Sequence, residues 1–233
     1  MWGVNYVLCW LFLGLRKLGR GRQEGSIGIL AFGSLIEDPG PELDQAQDYR
    51  LRWVLTPFKV EFARSSRTRG GAPTLVPVME GGARVSATLI ILKSSVPKDE
   101  AKSILWRREM HKPPGNREAY APPRNATVDT VLIEEIRGFY GLQSALFTQI
   151  GSNITPPRLP EKLAALAVQS AVPWSSEPDK DGVSYLLSVK KAGIQTPLMR
   201  RYEKAILKMV GAKNLKEALF TMRKRGLEEK DRE

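Results

Sequence analysis

Among 233 residues there is one cysteine, Cys9, and one histidine, His111. A disulfide framework is therefore excluded, as is any zinc site built from clustered Cys and His ligands. A Ser-His-Asp or Cys-His apparatus would have to rely on His111 alone, and no G-x-S-x-G elbow occurs. No G-x-G-x-x-G or G-K-S pattern supports nucleotide binding. What remains for chemistry is carboxylates, backbone amides and arginines. Long apolar runs are also scarce. Residues 1–15 (MWGVNYVLCWLFLGL) are almost wholly apolar, yet they fall short of the roughly 20 residues needed to cross a bilayer. They lack the positive n-region and small-residue cleavage site of a secretory signal. A docked helix or a translated leader is the first reading, with surface anchoring as the other. No transmembrane span is expected, and a cytoplasmic location is the default expectation.

The remaining composition, 42% hydrophobic and 26% charged, is that of an ordinary globular chain. Thirty-six Lys and Arg against twenty-five Asp and Glu leave a formal charge of +11. Such a charge attracts nucleic acid, anionic membrane or small acidic substrates without choosing among them. The excess is spread over several segments, including Arg16 to Arg22, Arg50 to Arg69, Lys190 to Lys208 and Arg223 to Arg225, as on a solvated surface. One stretch stands apart. Leu51 to Arg69 interleaves Trp53, Phe58 and Phe62 with Arg52, Lys59, Arg64, Arg67 and Arg69, a composition able to stack bases and contact phosphates. A non-catalytic protein binding nucleic acid through this surface is therefore carried as the alternative function, although alternation would place most of these aromatics in the core.

Periodicity and punctuation predict strands at IGILAF (residues 27–32), Leu51 to Ala63, Thr74 to Val78, Arg84 to Leu92, Thr127 to Ile136 and Leu142 to Phe147. Helices are predicted over Pro97 to Met110, Glu161 to Val172, Gly182 to Ala192, Leu198 to Val210 and Asn214 to Arg225, the last with Asn214 and Glu217 as a capping signature. The fold class is α+β. Four regions follow: an apolar and basic segment over 1–24, a β-rich unit over 25–155, a helical extension over 156–226 and a frayed tail over 227–233.

Two local features can carry chemistry. At Phe32, Gly33, Ser34 and Leu35 a strand delivers the chain into a turn whose glycine lets successive N–H groups face an anion, either a carboxylate or an oxyanion. An ordinary strand-ending turn is the plain alternative. Glu109 closes a predicted helix beside Trp106, where desolvation would suit a general base; the competing reading is a surface glutamate paired with Arg107 or Arg108. Arg64, Arg67 and Arg69 are either anion clamps or a solvated face.

LAFGSLI at residues 30–36, FARSSRTRGGAPTLVPV at 62–78 and LWRREM at 105–110, in this order, resemble the γ-glutamylcyclotransferase-like family. The resemblance covers roughly Ile27 to Gln149, and DGVSYLLSVKKAGIQTPLMRRY at 181–202 resembles the C-terminal extension of longer bacterial members. It implies a small mixed α/β barrel and an enzyme that cyclises a γ-glutamyl compound to 5-oxoproline with release of an amine. Glu109 is implied as the catalytic acid and base. Phe32, Gly33, Ser34 and Leu35 are implied as the substrate loop, with Tyr120 as a pocket phenol. A small γ-glutamyl substrate is the implied partner, and no metal or organic cofactor is implied. Where the family's loop carries tyrosine this chain has Phe32, which keeps the ring and loses its hydroxyl.

Overall fold

The computed structural model describes residues 26–171 and 180–230. The predicted N-terminal segment and the last three residues of the predicted tail lie outside them. Within the described residues seven strands form: β1 (Ile27–Ala31), β2 (Gln47–Leu55), β3 (Lys59–Ser66), β4 (Ala72–Val78), β5 (Ser86–Leu92), β6 (Leu132–Arg137) and β7 (Ser144–Gln149). Six α-helices accompany them: α1 (Pro41–Ala46), α2 (Lys98–Glu109), α3 (Pro160–Ser170), α4 (Gly182–Lys191), α5 (Met199–Val210) and α6 (Leu215–Lys230). The class is α+β.

A five-stranded sheet has the order β2-β5-β1-β7-β6. β1 lies at its centre, antiparallel to β5 and parallel to β7. All five of its residues are buried, as expected of a strand covered on both faces. Ile27, Ile29 and Ala31 face Leu43, Ile104 and Leu105 of α1 and α2. Leu30 faces the opposite way, into a cluster with Leu89, Leu142 and Phe147. The alternation of a strand thus splits one apolar run between two cores.

β3 and β4 form a separate two-stranded hairpin. Their inner face, with Val60, Phe62 and Leu75, shares one core with Leu163, Ala167, Leu186, Tyr202 and Ile206 of the helices. The helical extension is therefore packed on the hairpin. Among the described residues the strand ladders close no barrel.

The single strand predicted over Leu51 to Ala63 is two strands. Pro57 has no N–H to donate, and the chain turns there between β2 and β3; the Thr56 hydroxyl fixes the turn by donating to Phe58 O at 2.7 Å. Helix α1 was not predicted, although Pro41 at its start and Glu42 and Asp44 in its first turn are proper signals. α6 reaches Lys230, beyond the predicted Arg225, and its capping signature forms: Glu217 N–H donates to Asn214 Oδ1 at 3.0 Å and Lys213 N–H to Glu217 Oε2 at 3.0 Å. No helix among the described residues is long and apolar enough to cross a membrane.

Candidate active site

β1 ends by delivering Phe32 to a single 3-10 turn, Gly33–Ile36. Gly33 has φ +65°, in the left-handed region. A Cβ built there would lie 2.7 Å from the Tyr185 hydroxyl. Backbone conformation and crowding both demand glycine at this position. The leading N–H groups of such a turn have no partner within it, and no side chain caps them. The Phe32 ring meets Phe58 edge-on at 5.6 Å, and Phe58 stacks on Phe147 at 4.5 Å. Phe32 thus presents a packed phenyl group, without a hydroxyl, at the entry to the turn.

Glu109 is the last residue of α2. The helix closes after it: Lys112 N–H reaches back to Arg107 O at 3.0 Å, and His111 takes the left-handed position with φ +50°. Glycine usually occupies that position. A carboxylate at a helix C-terminus is disfavoured by the macrodipole. Arg108 compensates it, donating from Nη1 to Glu109 Oε1 at 2.8 Å. The same guanidinium donates to Asp38 O from Nε at 3.1 Å and from Nη2 at 2.5 Å. Arg108 therefore ties the end of α2 to the chain leaving the Gly33 turn. Arg107, 2% exposed, points elsewhere and anchors α2, pairing with Glu42 at 2.6 Å and Glu100 at 2.7 Å.

Phe32, Ser34, Leu35 and Glu109 line one cleft of about 470 Å³, within the range of small-molecule sites. Gly33, between Phe32 and Ser34 in the chain, is buried. Glu109 is 23% exposed: it pairs with Arg108, as one of the two readings expected, and it lines the cleft. Five cations, Arg64, Arg67, Arg69, Arg108 and Lys180, and three carboxylates, Asp38, Glu109 and Asp129, share the lining. An anionic ligand is favoured by this balance.

The three hairpin arginines are not equivalent. Arg64 is committed to the scaffold, donating to Val128 O and Gly151 O at 2.9 Å each and to Asp129 at 2.6 Å. That pairing holds the Asp129 carboxyl below its ordinary range. Arg67 is exposed, 3.5 Å from Asp129. Arg69 lies with its guanidinium 4.8 Å from the centroid of the Tyr185 ring. His111 also lines the cleft. Burial, then the nearby Arg108 charge, lower its pKa, which favours the neutral imidazole.

Tyr120 is not brought to this cleft. It packs on Trp106 at 6.4 Å, and its hydroxyl accepts from Ile133 N–H at 3.1 Å. Trp106 belongs with it to the core under α2. Of the aromatics proposed to stack bases, Phe62 is fully buried and Phe58 sits between Phe32 and Phe147. Trp53 is the exposed one, at 70%.

One cleft residue escapes sequence reasoning, and a second is only half legible. Arg108 is visible as one of two adjacent arginines able to pair with Glu109, but its bond to Asp38 O is not. Tyr185 lies about 150 positions from the turn it touches, and its only local signals are the helix start at Asp181 and Gly182. Burial raises its phenol pKa and keeps it protonated. Among the described residues no cluster of His, Cys, Asp or Glu has a metal-binding arrangement. No protein-family model matches the chain, and no curated protein matches it in sequence.

Proposed function

We propose that this cleft cyclises a γ-glutamyl compound to 5-oxoproline and releases an amine, with Glu109 as acid and base. One observation carries the reading: the Phe32–Leu35 turn and Glu109, about 75 residues apart in the chain, line one cleft and are tied by Arg108. The reaction needs no enzyme nucleophile, because the substrate's own α-amine attacks its γ-carbonyl. Its C–N bond to the leaving amine breaks as the five-membered ring closes. Holding the two groups in attack geometry supplies much of the acceleration. Glu109 takes a proton from the α-ammonium and returns it to the departing nitrogen. Arg108 holds Oε1; among the described residues Oε2 has no hydrogen-bond donor, so it is the oxygen assigned to the transfers.

The same reading treats the sheet and hairpin as parts of one small mixed barrel. Val60 bridges to Ala83, and Thr56 N–H donates to Val85 O at 3.0 Å, which supports their lying side by side. The test is 5-oxoproline release from a panel of γ-glutamyl amino acids, glutathione and γ-glutamylamines by wild type and Glu109→Gln. The reading expects turnover by wild type and a loss of at least about 100-fold in the variant, the scale of general acid–base catalysis. Equal turnover by the two proteins would remove Glu109 from the chemistry.

A further inference from the structure

Tyr185 is a buried phenol that the cyclisation scheme leaves unused, and its placement is over-determined. Asp181 caps α4, its Oδ1 accepting from Val183 N–H and Ser184 N–H at 2.8 Å each. Gly182 lies so close to α3 that a Cβ would stand 2.8 Å from Ala167, and its N–H donates to Ser170 Oγ at 2.8 Å. The first turn of α4 is thereby locked, and Tyr185 projects one turn further on. Its ring meets Phe62 edge-on at 6.3 Å. Its side chain ends against Gly33, in the wall of the cleft that holds Glu109.

The residue is 4% exposed. Its hydroxyl oxygen accepts from Leu75 N–H at 3.3 Å. Among the described residues the hydroxyl proton has no acceptor. A buried donor without an acceptor is costly and uncommon. The arrangement is explained if the acceptor arrives with the ligand. The Arg69 guanidinium over the ring and the cationic balance of the lining favour a negatively charged acceptor.

We propose that Tyr185 is a substrate-binding residue whose hydroxyl donates to the α-carboxylate of the γ-glutamyl substrate, seated on the Gly33 turn. This rests on the cyclotransferase reading. It makes the helical extension part of the site, with a phenol supplied from α4 where Phe32 has none. The carboxylate persists unchanged through cyclisation, so Tyr185 contributes to binding of substrate and product alike and not selectively to the transition state.

The experiment compares wild type with Tyr185→Phe in two assays. The first is steady-state release of 5-oxoproline. The second is calorimetric binding of 5-oxoproline and of its neutral carboxamide. One hydrogen bond to a charged group predicts KM and the 5-oxoproline Kd raised about tenfold to a hundredfold. The prediction also requires kcat within about twofold of wild type, as uniform binding demands, and a smaller loss of affinity for the carboxamide, whose carbonyl oxygen accepts only a neutral hydrogen bond. An unchanged KM and Kd, with wild-type turnover intact and dependent on Glu109, overturns the Tyr185 assignment and leaves the cyclotransferase reading standing. A wild type that neither turns over the panel nor binds 5-oxoproline overturns both. Should Tyr185→Phe fail to fold, 5-oxoproline added to wild type labelled with 13C at the tyrosine Cζ must shift the Tyr185 resonance, and by more than the carboxamide does. Absence of that shift overturns the assignment equally.

Discussion

Alanine at position 33 meets two separate obstacles, and a second substitution can remove one of them. The first is the backbone: φ is +65°, and a non-glycine residue in the left-handed region costs about 1–2 kcal/mol. The second is the Tyr185 hydroxyl, 2.7 Å from the new Cβ, with the ring carbon that bears it at 3.8 Å. Pushing the hydroxyl aside also takes away the acceptor of the buried Leu75 N–H, which costs about 1–3 kcal/mol more. Gly33→Ala alone should therefore destabilise by about 2–5 kcal/mol. In a Tyr185→Phe background only the backbone cost survives, since 3.8 Å to the ring carbon is an ordinary contact. The coupling energy of the double-mutant cycle should then be about 1–3 kcal/mol. Urea denaturation of the four proteins measures it directly. Additivity within about 0.5 kcal/mol would show that the extension does not press on the turn.

The remaining predictions concern charge. Glu61 is fully buried, accepting from Thr196, Phe62 N–H and Leu198 N–H. Burial, only partly opposed by these bonds, raises its pKa above the ordinary value near 4.5. The folded state then binds this proton more tightly than the unfolded one. The associated stability is present at low pH and is lost as pH rises through the folded pKa. Urea midpoints should accordingly fall for wild type relative to Glu61→Gln as pH rises from 4.5, and a constant difference would contradict the assignment. Arg107→Ala leaves Glu42 and Glu100 without their partner, but both can be hydrated, so a loss of about 1–3 kcal/mol is expected, below that of a fully buried pair. A thermal or urea shift near zero would show that this cluster does not anchor α2.

Much of this architecture is legible in the sequence because it is encoded locally. IGILA is a continuous apolar run and becomes the central strand. Pro97, early acids and late arginines bracket α2 within a residue of its observed ends. The failures are equally local in cause. Leu51 to Ala63 has strand composition on both sides of Pro57, and composition alone does not weigh one proline against a run of apolar and basic residues. α1 is six residues long, too short to show a helical period.

For the cleft, the Gly33 turn and Glu109 are legible as separate signals, whereas the Arg108 bridge between them is not. Adjacent arginines look alike in sequence, yet Arg107 turns to Glu42 and Glu100 while Arg108 turns to Glu109 and Asp38. Tyr120 shows the reverse difficulty. A phenol near the site in sequence goes into the packing between α2 and β6, its hydroxyl taken by Ile133 N–H. Tyr185 reaches Gly33 only because α4 packs on α3 through Gly182. No pattern within a window of the sequence contains that contact.

The central claim is that the γ-carbonyl is attacked by the substrate's own amine and not by water. Turnover of the γ-glutamyl panel in 18O-enriched water, followed by mass spectrometry of the glutamyl product, tests it most directly. Intramolecular attack predicts unlabelled 5-oxoproline and free amine in equal amounts. Glutamate carrying one 18O in its γ-carboxylate would identify a hydrolase and contradict the account.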